Sequence, residues 1–342
     1  MERTIVGLLL VKAEVTYGTD AAPAGLNVLP IFHDSLKYAV SATAVERRPA
    51  AKKRQRVGGM NTMPNGTFTF SYELRGNYGM SPNDIRKGTS TQAIELDPIL
   101  QAAHLIPAYT SETTGGANDG YVTYNPIEQT AELPSVTCYF YSQAKLHKLT
   151  GGKVDAEIVF EVGKPPMVNV TIKGKYVAVT DTGYSGVTPV YQVELQPPIC
   201  QGISLTYGTN LVTPASNDAT LICSKIAVQL GNSLVLRPSL VAADGVRGFA
   251  IADVKPSASF DPEATTEASH PFFADWLAGS VNALQFSVGT QAGNKMQMTL
   301  HGIPRDIPYG ERAGIRTHDL KLDLVAGSMA EAEGAILTLK VF

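Results

Sequence analysis

The sequence has few of the residues that mark a metal centre, a disulfide framework or a histidine-based active site. Of its 342 residues, three are cysteine, one is tryptophan and six are histidine. Cys138, Cys200 and Cys223 are widely spaced and odd in number, which predicts small buried residues of a cytosolic protein rather than disulfides or zinc ligands. The histidines lack the spacing of metal ligands such as H-E-x-x-H. We therefore expect no cofactor and no metal.

Charge and long apolar runs are also scarce. Charged residues make up 17% of the chain and the net charge is -3, whereas a dedicated nucleic-acid-binding domain is usually basic throughout. The apolar run 5–11 has Glu2 in front of it and no small-residue cleavage site before Glu14, so it predicts a first β-strand rather than a signal peptide. No stretch approaches the ~18 apolar residues of a membrane span, and no membrane anchor is expected.

Alternation of apolar and polar residues with a period of two is abundant, and it is typical of strands with one buried face. The segments that show it are 67–75, 135–141, 156–162, 167–173, 190–195, 295–301, 318–325 and 335–342. Helical signals are confined to 95–105, with Asp97 as the predicted N-cap and Pro98 after it, and to 271–278. The sequence therefore predicts a mainly β fold with two short helices.

Short motifs recur between the two halves of the chain. T-Y-G-T occurs at 16–19 and again at 206–209. Each copy is followed by one of the two predicted helices and then by a strand that ends in T-x-x-G, at 171–174 and 299–302. The offsets of 190 and 128 residues differ, so the recurrence has no constant period.

This recurrence predicts two related β domains in tandem, residues 1–197 and 198–342, with chance repetition of short β motifs as the alternative. An extra hairpin in the first half, at about 121–160, would account for the unequal offsets. Residues 17–65 give few strand signals, and we expect a long loop there. Loops of that length are uncommon in compact domains and usually carry function or become ordered on assembly.

No catalytic constellation emerges from the sequence. His33, Asp34 and Ser35 are the residue types of a catalytic triad, but adjacent positions on an extended chain cannot converge on one substrate. The glycine-rich stretch 115–120 matches neither a phosphate-binding loop nor a dinucleotide fingerprint. A β scaffold with extended loops and no chemistry suggests a protein that binds copies of itself. We assign no catalytic residues and predict that the protein is not an enzyme.

Positive charge is concentrated in V-E-R-R-P-A-A-K-K-R-Q-R-V-G-G, residues 45–59. Such a run is typical of a nucleic-acid arm, a targeting signal or a loop that docks on an acidic partner. We interpret it as an inter-subunit docking loop for an acidic patch on a neighbouring copy. A DNA contact is the alternative, and the loop could be solvated in the free subunit. Its basic residues are Arg47, Arg48, Lys52, Lys53, Arg54 and Arg56.

Several motifs together resemble those of phage tail tube proteins, also called major tail proteins. They include K-A-E-V-T-Y-G-T-D, G-G-M-N-T-M-P-N-G-T-F-T-F-S-Y-E-L-R-G, E-L-D-P-I-L-Q-A-A, H-K-L-T-G-G-K-V-D, G-K-P-P-M-V-N-V-T-I-K-G-K-Y and I-A-V-Q-L-G-N-S-L-V-L-R-P. The resemblance runs through most of the chain and consists of turns and strands without a chemical signature.

The resemblance implies a tail-tube-type β-sandwich or barrel fold and a structural role in the virion tail. Tube domains of this kind stand six to a ring, and stacked rings form the hollow conduit for DNA ejection. The ring would be a homohexamer, or a homotrimer of two-domain subunits. Implied partners are the chain itself, tape-measure and tail-terminator proteins, and DNA that passes transiently through the lumen. The protein would be made in the host bacterial cytoplasm.

Other functions compatible with the same composition belong to two classes. One is a different structural assembly, such as a baseplate protein, a capsid-decorating protein or the ring of a secretion tube. The other is a carbohydrate-binding or hydrolytic β-sandwich, which would need acids and aromatic residues clustered on one face. The single tryptophan, Trp276, lies on a predicted helix, which disfavours the saccharide class.

Overall fold

The computed structural model describes most of the chain, and the ranges it covers are 7–47, 57–76, 94–110, 120–126, 134–191, 196–208, 221–291, 293–326 and 336–342. The fold is mainly β. The elements of the first half are β1 Leu8–Ala13, β2 Val28–Leu29, β3 Lys37–Arg47, β4 Val57–Glu73, α1 Asp97–Ala102, β5 Leu105–Thr110, β6 Tyr121–Pro126, β7 Val136–Tyr141, β8 Leu146–Glu161 and β9 Met167–Thr180.

In its described residues, the second half adds eleven strands of four to eleven residues and one helix. They are β10 Ser204–Gly208, β11 Lys225–Gln229, β12 Asn232–Pro238, β13 Val246–Val254, β14 Ser257–Phe260, α2 Phe272–Ala278, β15 Asn282–Val288, β16 Met296–Asp306, β17 Tyr309–Arg312, β18 Ile315–His318, β19 Leu320–Leu324 and β20 Leu337–Val341.

Seven of the eight segments with strong alternation overlap strands, namely β4, β7, β8, β9, β16, β19 and β20. In β8, Ile158 and Phe160 are buried while Glu157 and Glu161 stand on the more exposed face, as the period of two requires. The predicted strand at 190–195 is the exception. Val190 and Tyr191 are not part of a strand, and the other four residues of that segment lie outside the described part of the chain.

Sixteen strands form one hydrogen-bonded sheet that runs through both halves of the chain. The long strand β8 pairs with β7 and β9 from its own half and with β11 from the other half. The hairpins β12–β13 and β17–β18 form two separate two-stranded sheets. The halves are therefore joined by main-chain hydrogen bonds as well as by side-chain packing.

Six strands of each half recur in the same spatial order. In the first half the order is β1-β7-β8-β9-β4-β3. In the second half it is β10-β15-β16-β19-β14-β11. Numbered by position along the chain, both orders read first, fourth, fifth, sixth, third and second, and the helix precedes the fourth strand in each. The domain boundary at 197/198 stays a prediction.

The motifs used to predict this recurrence occupy non-equivalent positions. Residues 171–174 lie in β9, the sixth strand, whereas 299–302 lie in β16, the fifth. The first T-Y-G-T follows β1, whereas most of the second lies inside β10. Within the predicted extra hairpin at 121–160, β7–β8 has a counterpart in β15–β16. The hairpin of the first half that lies outside the six recurring strands is β5–β6, which pairs with β20.

The prediction of a long loop over residues 17–65 is also wrong. This segment contains β2, β3 and the first part of β4. The sequence of β3 is K-Y-A-V-S-A-T-A-V-E-R, and its middle places small residues on both faces of the strand. It therefore lacks the contrast between large apolar and polar side chains by which strands are recognised. Its partner β4 supplies the hydrogen bonds that make it a strand.

Helix α2 is confirmed, and it ends at Gly279, whose φ of 64° is the left-handed conformation that glycine adopts readily. The predicted cap of α1 is wrong, because Leu96 occupies the N-cap position and Asp97 is the first helical residue. The Asp97 carboxylate is buried, and it accepts hydrogen bonds from the Tyr124 hydroxyl and the Gln101 side chain. The carboxylate is therefore held by Tyr124 of β6 and by Gln101 of its own helix and does not cap the helix.

One hydrophobic core extends through both halves. It contains Phe68 and Phe160 from the first half and Phe286 and Leu322 from the second. The rings of Phe160 and Phe286 meet edge to face, with their centroids 4.8 Å apart. A second, smaller cluster around Leu10 and its neighbours packs on the other face of β1. The core fixes the scaffold from which the exposed hairpins project.

Candidate assembly surface

The hairpin of β3 and β4 projects beyond the sheet. Its strands pair from Lys37 opposite Thr69 to Arg47 opposite Val57, whereas β9 supports β4 only from Asn65 onward. We call the unsupported part, residues 41–47 and 57–64, the arm. All seven residues of its β3 strand are exposed, on both faces. Such a segment gains little from burial within one chain, so it is suited to contacts with another chain.

The basic run connects the two strands of the arm. Arg47 is the last residue of β3, is exposed and lies opposite Val57. The other five predicted docking residues, Arg48, Lys52, Lys53, Arg54 and Arg56, lie outside the described residues. The position of Arg47 places the start of the run at the far end of the arm, and the docking role stays a prediction.

The outer edge of β3 is an open sheet edge, because among the described residues β3 pairs only with β4. Apolar side chains accompany that edge. Val40 is half exposed, and Val45 and Met60 form an exposed cross-strand pair on the arm. Unpaired strand edges with apolar side chains are templates for pairing with another chain.

A second hairpin, β12–β13, ends in a turn at residues 239–245 that presents apolar side chains to solvent. Leu240 and Val241 are fully exposed there. An ion pair of 2.9 Å between Asp244 of the turn and Lys175 of β9 ties the hairpin to the first half. The turn also approaches β4, where the Met63 side chain lies beside Gly245.

Tyr17, from the first T-Y-G-T, holds strand β13 of this hairpin at Phe249, which lies opposite Leu236 of β12. Its hydroxyl donates to the carbonyl of Phe249 over 2.8 Å and accepts from the amide of the same residue over 2.6 Å. Gly248 makes this approach possible, since a Cβ there would stand 2.0 Å from the Tyr17 hydroxyl. The turn that carries Tyr17 is held by the Glu14 carboxylate, which accepts hydrogen bonds from the amides of Gly18 and Gly151.

A third exposed apolar surface lies on α2. Phe272 is the one buried residue of this helix, while Trp276 and Leu277 are largely exposed. A groove of about 460 Å³ separates α2 from residues 305–308 at the end of β16. The Trp276 indole crosses the groove and donates to the carbonyl of Arg305 over 3.0 Å.

Metal-ligating side chains and cysteine thiols are the groups to consider for chemistry in the described part of the chain. No group of three or more histidine, cysteine or acidic side chains among them could hold a metal ion. Burial raises the pKa of the Cys200 thiol to about 11 and that of the Cys223 thiol to about 12. Both thiols are therefore protonated near neutral pH and are weak nucleophiles.

Sequence reasoning found the basic run but missed the open edge of β3, the β12–β13 turn and the groove beside α2. The exposure of Leu240, Val241 and Trp276 leaves no local signal, because it depends on where distant strands pair. No helix in the described ranges is both long and apolar enough to span a membrane.

Comparison with known proteins agrees with a structural role. No curated protein sequence matches the chain. A family model described as phage tail tube protein matches residues 5–326. Proteins of this family are structural components of the bacteriophage tail and are not enzymes. Because the match covers nearly the whole chain, the protein belongs to the phage tail tube protein family.

Proposed function

We propose that this protein assembles with copies of itself into rings that stack to form the tail tube, the conduit for DNA ejection. The observation that carries the proposal is the open edge of β3 with its exposed arm. A strand edge of this kind gains main-chain hydrogen bonds when a second chain pairs with it. The exposed β12–β13 turn and the α2 surface offer further apolar area for obligate contacts, which typically bury on the order of 2,000 Å² or more.

The recurrence of strand order supports a subunit that contains two related tube domains, residues 1–197 and 198–342. Three such subunits would present six tube domains to the ring, and a homohexamer of the whole chain is the alternative. The tape-measure and tail-terminator proteins would be further partners in the virion tail, after synthesis of the subunit in the host cytoplasm.

The bore is expected to be lined by neutral and acidic side chains. The net charge of -3 agrees with this, because each phosphate that a basic side chain neutralises adds affinity and would slow a sliding DNA. A reconstruction of the assembled tube with lysine and arginine side chains pointing into the lumen would contradict the expectation.

Electron microscopy of the purified full-length chain tests the proposal directly. Rings, or hollow rods built from stacked rings, are the expected result. A chain that stays monomeric over a wide range of concentration and salt, or that forms sheets or closed shells, would contradict a tail tube.

The basic run is expected to dock on an acidic patch of a neighbouring copy. Replacing four of its residues by alanine should weaken polymerisation more than folding, since exposed charges contribute little to the stability of one chain. Sedimentation at several salt concentrations measures the loss, and thermal unfolding of the subunit provides the reference. The four residues are Lys52, Lys53, Arg54 and Arg56.

A control variant replaces the same number of exposed lysines elsewhere and should assemble as the wild type does. Normal assembly of the basic-run variant would remove the docking role. Reduced DNA binding without an assembly defect would favour the DNA-contact alternative. The four control positions are Lys12, Lys145, Lys164 and Lys255.

A further inference from the structure

The two halves are joined by a strand junction that can be described residue by residue. Strand β11, the second strand of the second half, pairs antiparallel with the C-terminal part of β8, the fifth strand of the first half. Val228 lies opposite Ile158 in this junction. Two residues further on, the amide of Leu230 donates to the carbonyl of Ala156 over 3.0 Å.

The position that Ile158 occupies on the fifth strand has an equivalent in the second half, where the fifth strand is β16. Gly152 in β8 and Gly302 in β16 both lie opposite the first residue of the fourth strand. From these glycines, the pairing with the sixth strand can be followed past the bulge at Arg305 into β17. Tyr309, the first residue of β17, is then the equivalent of Ile158. Among the described residues, β17 pairs only with β18.

The position that Val228 occupies on the second strand has an equivalent in the first half, where the second strand is β3. Tyr38 in β3 lies opposite Phe68, and Val228 in β11 lies opposite Ala258. Phe68 and Ala258 are themselves equivalent, because each lies opposite the same position of the sixth strand. Tyr38 therefore corresponds to Val228, and Val40, two residues further on, corresponds to Leu230.

The main-chain groups of Tyr38 and Val40 are available for a partner. The amide of Leu74 donates to the carbonyl of Pro166, so the even-numbered residues near the end of β4, including Phe68, direct their main-chain groups toward β9. Tyr38, opposite Phe68, and Val40, two residues on, consequently direct their own main-chain groups away from β4. They are the groups that Val228 and Leu230 use in the internal junction.

Burial distinguishes the two positions. In the internal junction, Ile158 is 0% and Leu230 is 4% exposed. Their equivalents, Tyr309 and Val40, are 60% and 51% exposed. Val40 in the first half and Tyr309 in the second half are therefore exposed, whereas their equivalents in the opposite half, Leu230 and Ile158, are buried.

The groove beside α2 is the counterpart of an occupied space. In the first half, the chain that follows β11 runs between β8 and the end of α1. There the Asn232 side chain donates to the carbonyls of Val154 and Ala103, over 3.0 and 2.8 Å. In the second half, the space between β16 and α2 is the groove lined by Phe273, Trp276 and residues 305–308.

We propose that β3 of one copy pairs antiparallel with β17 of the next copy, in the register that β11 uses on β8 within each chain. Tyr38 then lies opposite Tyr309 of the next copy, and the segment from Val40 enters the groove beside α2. The donor edge and the acceptor edge lie on different halves, so the contact is head to tail and repeats until a ring closes. This inference rests on the proposed ring assembly and specifies its contact.

Disulfide trapping tests the register. Gln229 and Glu157 form a non-hydrogen-bonded pair in the internal junction, the pair type with the closest side chains. Their equivalents between copies are Ala39 and Pro308. The Ala39→Cys/Pro308→Cys variant is expected to give a ladder of covalent oligomers on mild oxidation, and its longest member counts the copies in the ring.

Matched variants keep the result interpretable. Gln229→Cys/Glu157→Cys should give an internal crosslink and no ladder, which verifies that a cysteine pair in this register forms a disulfide under the conditions used. Each inter-copy cysteine alone should give no ladder, which measures the background from the natural cysteines.

A proline substitution provides a test that does not depend on crosslinking. Val40→Pro removes an amide that faces away from β4, so the subunit should fold as the wild type does. It should raise the concentration needed for ring formation by on the order of tenfold, the equivalent of one lost main-chain hydrogen bond per contact. Val40→Ala keeps the amide and should change ring formation less.

The outcomes separate this inference from the proposed function. Rings in the microscope without a covalent ladder, together with normal assembly of Val40→Pro, would overturn the β3–β17 contact and leave the tube intact. A wild-type chain that forms no rings would overturn the proposed function, and the contact with it.

Discussion

Single side chains hold distant parts of this chain together, and Tyr17 is the clearest case. Its hydroxyl satisfies both main-chain groups of Phe249, 232 residues away. Tyr17→Phe leaves those groups without that partner, and we expect it to lower the free energy of unfolding by about 1–3 kcal/mol. Urea unfolding of the subunit measures the change. Tyr191→Phe, at an exposed tyrosine, is the control and should have little effect.

Asp97 gives the stability of the subunit a pH dependence at residue scale. Burial raises the pKa of its carboxyl, although the hydrogen bonds from Tyr124 and Gln101 act in the opposite direction. The folded chain thus holds the proton more tightly than the unfolded chain, so this residue's contribution is favourable at low pH. It is lost as the pH rises from the unfolded pKa through the raised folded pKa.

Asp97→Asn removes that titration, so the stability of the wild type relative to the variant should fall as the pH rises above about 3.8, the ordinary pKa of the carboxyl. Denaturant unfolding of both proteins at several pH values measures the difference. The exposed Asp181→Asn serves as the control, and an equal pH dependence in both variants would contradict the role of burial.

Among the secondary-structure elements, the exposed turn of β12–β13 is a place where a substitution can affect assembly without affecting folding. Leu240 and Val241 contact solvent over their whole surface, so replacing both by serine should change the free energy of unfolding by less than about 0.5 kcal/mol. If the turn packs on another copy, the same variant should raise the concentration needed for assembly. Thermal unfolding and sedimentation measure the two effects, and unchanged assembly would show that the turn stays solvated in the tube.

The elements that the sequence predicts well are those with large apolar side chains on one face, such as the second part of β4, the first part of β9 and most of β16. Strand β3 escaped because its small residues form a strand only when β4 pairs with it. The junction of β8 with β11 and the space beside α2 escaped for a different reason. Both depend on how segments distant in the chain pack together, and in the junction the paired residues are more than 60 positions apart, so no local pattern exists. The edges that the proposed assembly uses were therefore the least visible in the sequence.

For the whole molecule, the repeated strand order leads to a prediction about stoichiometry. If each subunit supplies two equivalent tube domains, a ring with six positions closes with three chains. Native mass spectrometry of the smallest closed ring should then give three times the subunit mass of 36.4 kDa. Six times that mass would mean that each chain fills one position, and the two halves would then play different roles in the ring. The internal junction of β11 with β8 would recur between chains as β3 with β17. The three-chain ring should therefore also show approximate six-fold symmetry in projection, with contacts that alternate between a junction within one chain and a junction between two chains.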